Sequence, residues 1–160
     1  MVLSDLEKKE FMKYSPIMPD ILDFERIARS PNFAVKNYKD SLYRGEIVNS
    51  KRQGQGVITY SNSRVYEGEW MADKRSGMGF ERFSNKNTYN GTYLNGKVHG
   101  QGKYVWNTGE FYEGQWKDGL KDGYGIWQGI EEDTYIGEWR ENKPYGYGKH
   151  VWGSGDWFEG

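Results

Sequence analysis

The sequence predicts an all-β protein built of successive antiparallel hairpins behind a short helical segment, on three observations. A Tyr-x-Gly opens at Tyr43, Tyr66, Tyr89, Tyr112, Tyr135 and, as phenylalanine, Phe158, each 23 residues after the last. A Gly-x-Gly keeps the same step at Gly54/Gly56, Gly77/Gly79, Gly100/Gly102, Gly123/Gly125 and Gly146/Gly148. Composition changes at residue 43: all 22 glycines and all seven tryptophans lie at or beyond it, and three of the four prolines lie before it. The chain therefore divides into an N-terminal segment, 1–42, and a repeat array, 43–160, in which each unit mainly contacts its neighbours.

Global numbers narrow the function classes. With 160 residues and 36% apolar content, the chain holds one modest domain and an appendage. A net charge of −1 supplies no bulk field toward nucleic acid, which is not expected as a partner. Zero cysteines exclude a disulfide framework and cysteine-ligated zinc, in keeping with a reducing compartment. The opening "MVLSDLEKKEF" has no apolar run long enough for a signal peptide or a membrane span, so a soluble intracellular protein is expected.

In the first 42 residues Ser4 is a cap candidate, but Glu10 and Lys13 interrupt the apolar stripe that Leu6 would start. "PDILDFERIARSP" is a better helix: Asp20 caps, Ile21, Phe24 and Ile27 fall at helical spacing, and Pro31 stops it. Phe33 to Lys36 is expected to pair as a strand against the first repeat. Two roles suit the segment: a cap that hides apolar surface at the end of the array, or a docking segment that attaches the array to a partner.

Within the unit from Tyr66 to Thr88, alternation places Tyr66, Gly68 and Trp70 on one face and Glu67, Glu69 and Met71 on the other, the period of a strand. Tyr89, Gly91 and Tyr93, then Tyr112, Gly114 and Trp116, then Tyr135, Gly137 and Trp139 repeat the pattern. A hairpin turning near Asp73–Arg75 would set Trp70 opposite Gly79 and Tyr66 opposite Phe83. The same offset pairs Tyr93 with Gly102, Trp116 with Gly125 and Trp139 with Gly148, so that a ring covers a glycine that would otherwise weaken the sheet. The first turn holds Ser50, Asp73, Gly96, Gly119 or Asn142, residues suited to tight or left-handed backbone. The second turn reads "SNS", "SNKN", "NTG", "EED" or "GSG". Two strands and two turns fill each unit. The Gly-x-Gly is not a phosphate loop, because strand-like residues such as "VITY" or "KYVW" follow it where a helix would have to begin.

The pattern Y-x-G-x-W, then N/D-G-K-x-x-G-x-G, then an aromatic resembles the MORN repeat, and "YNGTYLNGKVHGQGKYVW" matches it almost letter for letter. The resemblance covers residues 43–160 and implies an elongated, curved, single-layer antiparallel sheet. It also implies work as a scaffold in cytoskeletal, ciliary or membrane-junction assemblies. This sequence departs from the pattern at Ile47, where the tryptophan is expected, and at Gly129, with Trp127 displaced from the aromatic position by two residues. The array stops at "FEG", which is expected to mark a fragment or a free edge open to another chain, a second copy included.

Nothing in the sequence assembles an activated nucleophile, an acid–base pair or a metal centre, so neither enzyme activity nor a cofactor is expected. His99 and His150 occupy non-equivalent repeat positions, His99 in the first turn and His150 in a strand, and read as solvated or packed. The acidic run Glu131–Asp133 reads as a solvated hairpin tip. The basic residues Lys51, Arg52, Lys74, Arg75, Lys97, Lys121 and Lys143 gather at the first turns, His99 beside them, and would recur about every 10 Å along one edge. Such a row could attract anionic lipid by about 1 kcal/mol per cation, although Asp73, Asp118, Asp122 and Glu141 interrupt it. The leading expectation is a non-catalytic scaffold that takes a helix or strand of a partner protein. The alternatives are a peripheral module for anionic phospholipid, and the regulatory arm of a longer enzyme.

Overall fold

The computed structural model describes residues 24–160. The expectations placed on Ser4, Leu6, Asp20 and Ile21 fall outside that range. A short helix, α1 (Phe24–Arg29), ends two residues before Pro31, and Glu25 pairs with Arg29 one turn on at 2.7 Å. Its Ile27 and Ala28 are buried. The chain then runs as strands only.

The described residues divide into two compact units, 24–84 and 85–160. The first holds α1 and the strands β1 (Phe33–Tyr38), β2 (Ser41–Val48), β3 (Lys51–Tyr60), β4 (Val65–Met71) and β5 (Lys74–Arg82). The second holds β6 (Thr88–Leu94), β7 (Lys97–Val105), β8 (Phe111–Lys117), β9 (Leu120–Gln128), β10 (Thr134–Arg140), β11 (Lys143–Val151) and β12 (Trp157–Glu159). Within each unit every strand pairs antiparallel with its chain neighbour, giving a single layer of hairpins. The expected capping strand is present: β1 pairs with β2 from Phe33 opposite Glu46 to Tyr38 opposite Ser41.

The first turn of every repeat is two residues long with both backbones left-handed: Asn49–Ser50, Ala72–Asp73, Asn95–Gly96, Asp118–Gly119 and Glu141–Asn142. These are type I′ hairpins, whose twist matches that of the flanking strands. The second turn also carries a left-handed residue: Ser63, Lys86, Gly109, Glu132 or Gly155.

The register differs from the sequence expectation. Gly68 faces Gly79 and Tyr66 faces Glu81, while Trp70 lies opposite Arg75 on β5 and opposite Gly54 on β3. The hairpin turns at Ala72–Asp73, earlier than the expected Asp73–Arg75, and a bulge then moves the pairing part of the way back: between the Gly68/Gly79 and Trp70/Arg75 pairs, β4 has one residue and β5 has three. Gly91 likewise faces Gly102, Gly114 faces Gly125 and Gly137 faces Gly148. A row of glycines therefore crosses each unit, Gly45–Gly56–Gly68–Gly79 in the first and Gly91 through Gly148 in the second.

Candidate interaction site

Each sheet has a ring face and a back face, and the chemistry of the two is opposite. On the ring face the first aromatic of each repeat, not the second, lies over the glycine row. A Cβ added to Gly79 would come within 2.6 Å of the Tyr66 ring, and the same overlap joins Gly56 to Tyr43, Gly102 to Tyr89, Gly125 to Tyr112 and Gly148 to Tyr135. Each of these phenols donates to the carbonyl three residues on, from Tyr66 to Glu69 at 2.8 Å and from Tyr112 to Gln115 at 2.9 Å. The tryptophans tie a repeat to the one before it. Trp70 Nε1 donates to the Gly56 carbonyl at 3.2 Å, Trp116 to Gly102 at 3.0 Å and Trp139 to Gly125 at 3.2 Å. Their rings meet two tyrosines edge-to-face, as Trp116 meets Tyr89 and Tyr112 with centroids 5.7 and 5.0 Å apart. Burial pushes the Tyr112 phenol up to about 12 and raises Tyr43, Tyr66, Tyr89 and Tyr135 as well. This face is occupied by its own packing.

A second recurring group escaped the sequence reading. The residue between the glycine and the second aromatic is Glu46, Glu69, Thr92, Gln115 or Glu138, and it braces the bulge. Glu46 accepts the Gln55 N–H at 2.7 Å, Glu69 that of Met78, Gln115 that of Tyr124 at 2.6 Å and Glu138 that of Tyr147 at 3.0 Å. Thr92 instead donates to the His99 carbonyl. The signal was present in the sequence, since every one of these side chains carries an oxygen at the same repeat position.

The basic residues at the first turns do not act alike. Arg52 grips Asp73 at 2.6 Å and lies 4.4 Å over the Trp70 ring, Arg75 reaches Glu81 at 2.6 Å, and Lys121 sits 4.8 Å over Trp139. Burial alone would raise the Asp73 carboxyl, but the Arg52 hydrogen bonds outweigh it and hold the group below its ordinary value. Burial among the rings lowers Lys121, which the nearby Glu110 opposes. Lys51, Lys74, Lys97 and Lys143 stay exposed. Glu81, only 1% exposed, is held between Arg64 at 2.5 Å and Arg75. His99 lies in β7, not in the turn, and its Nδ1 accepts the Asp118 N–H at 3.3 Å; His150 stacks on Trp152 with centroids 4.4 Å apart. Trp127, two residues from the expected aromatic position, donates Nε1 to Glu110 at 2.8 Å.

The back face is where the two units part company. In the first unit Val57, Val65, Glu67 and Phe80 are all buried there. Helix α1 is fastened to this face by Arg26, whose Nη2 donates to Gln55 at 2.8 Å and to Glu46 at 3.3 Å. In the second unit the same face carries Tyr124 at 58% exposure, Tyr145 at 54%, Tyr147 at 70% and Trp157 at 62%. Large apolar side chains exposed next to one another on a sheet mark an interaction surface.

The family model described as "MORN repeat" matches residues 43–63, 66–88, 89–111, 112–130 and 135–157. The chain belongs to the MORN-repeat family. The matches keep the 23-residue phase, and the fourth is the shortest, in the repeat where Gly129 replaces the aromatic. MORN repeats serve in protein or membrane interaction and are generally non-catalytic. Among curated proteins, none matches this MORN chain significantly.

Proposed function

We propose that this MORN array is a non-catalytic scaffold that binds partner proteins through its back face. The exposed tyrosines and tryptophan of the second unit carry this reading: they are large, rigid and amphipathic, the side chains that anchor protein interfaces. On the ring face the repeat tyrosines and tryptophans pack on glycines and on each other, and exposure there is concentrated at Phe158 in the last strand. A cytoskeletal or ciliary assembly is the setting that the family suggests.

A membrane role is the second reading, supported by the exposed Lys51, Lys74, Lys97 and Lys143. The withdrawal of Arg52, Arg75 and Lys121 to ring and carboxylate contacts thins the row that such a role would use. The two readings separate by salt. Crosslinking in native extract should give protein adducts that persist at high ionic strength, as apolar contacts do. Flotation with phosphoinositide vesicles that collapses with salt, and that Lys51→Glu with Lys74→Glu removes, would favour the membrane instead.

A further inference from the structure

We propose that the back face of β9–β11 seats an amphipathic helix of a partner protein that presents an arginine to Glu138, in the way β2 and β3 seat α1. This deepens the scaffold reading and rests on it. The argument comes from repeat equivalence. Glu138 occupies in its repeat the position of Glu46, and Tyr147 that of Gln55, four steps of 23 along. Glu46 has two duties: it accepts the Gln55 N–H and it accepts Arg26 of the helix. Glu138 performs the first duty on Tyr147 at 3.0 Å and, being exposed, is open to the second.

The surface beside it has become apolar in the same repeats. Tyr124 and Tyr147 replace Gln55, and Ile136 replaces Arg44. Ile126 lies opposite Ile136 across the β9–β10 pair. Two shallow depressions of about 390 and 380 Å³ share Tyr124 and Glu138 and run together along this face, a trough for a ridge of apolar side chains. Asp122, Glu138 and Glu159 line it together with Arg140 and Lys149, and the Glu138 carboxylate is the group that an arginine of the helix would meet. A second copy of this chain is the poorer occupant, because its Arg26 is engaged on its own Glu46 and Gln55.

The test uses the full chain and a synthetic peptide of sequence 20–32, which carries the chemistry of α1. Amide shifts in a ¹⁵N NMR titration are expected at Tyr124, Ile126, Ile136 and Tyr147. Glu138→Gln, which keeps an acceptor for the Tyr147 N–H as Gln115 does for Tyr124, should weaken the peptide about tenfold, whereas an Arg26→Gln peptide should bind the two chains alike. No shifts at millimolar peptide, shifts confined to other surfaces, or an affinity indifferent to Glu138→Gln would overturn the proposal. Crosslinking with the Tyr124→Ser/Tyr147→Ser chain separates the two levels. Salt-resistant adducts that the double substitution leaves untouched overturn the helix seat and keep the scaffold. Salt-sensitive vesicle flotation with no protein adducts overturns both.

Discussion

The two glycines of each Gly-x-Gly answer different demands. The first, Gly77 for example, is left-handed with φ +85°, and the Glu69 carboxylate fills the space its Cβ would take. The second, such as Gly125, lies under a tyrosine ring. Gly125→Ala should therefore cost about 3 kcal/mol, since the ring is fixed by its own hydrogen bond and by two tryptophans. Gly109→Ala, with no atom within 4 Å of the new Cβ and only a left-handed turn to strain, should cost about 1 kcal/mol. Urea unfolding of the pair measures the contrast. The bulge brace gives another: Gln115 already serves in one repeat, so Glu69→Gln should change stability by less than about 0.5 kcal/mol. Glu69→Ala should cost about 1–3 kcal/mol by leaving the Met78 N–H without its acceptor. Sequence reasoning pairs rings with glycines but picks the wrong ring, because it sets the turn near Asp73–Arg75 where the chain turns at Ala72–Asp73, and the bulge beyond Trp70 restores only part of that offset.

At the scale of the element, a tight turn at each repeat was legible from Ser50, Asp73, Gly96, Gly119 and Asn142, residue types that tolerate φ > 0, whereas its two-residue type I′ form was not. The residue before each of them is left-handed too, and there the chain is less consistent: asparagine at 49 and 95, aspartate at 118, but Ala72 and Glu141. Ala72→Asn should raise stability by about 0.5–1 kcal/mol, visible as a higher thermal midpoint, because asparagine accepts that backbone more readily. The Ala72 N–H keeps its acceptor on Gln53 in that variant. The back face was harder to read. Glu67 is buried there although its letter predicts exposure, and nothing in a period of two says that one unit's back face will be covered while another's stays open. Strand patterning tells which residues share a face, whereas the partner of that face is a tertiary fact.

Across the whole molecule the tyrosine phenols form one titrating set. An unfolded tyrosine ionises near pH 10, and burial pushes Tyr112 to about 12 and raises Tyr43, Tyr66, Tyr89 and Tyr135. The folded state thus prefers the protonated phenols. Its stability is fully present below about pH 10 and is lost as pH rises through the folded values. The raised phenols should ionise late, as a final rise in absorbance at 295 nm that coincides with loss of the sheet signal in circular dichroism. Ionisation of all thirteen tyrosines with the sheet still intact would contradict the packing described. Finally, the tryptophan bond has a direction: a repeat that carries the tryptophan offers an indole N–H upstream and a glycine carbonyl downstream, as Trp116 and Trp139 show. A copied stretch of 23 residues arrives with both a plug and a socket, so genetic duplication lengthens such an array without inventing a contact. Reach and recognition then evolve apart, the first by copy number and the second by substitutions on the outward side.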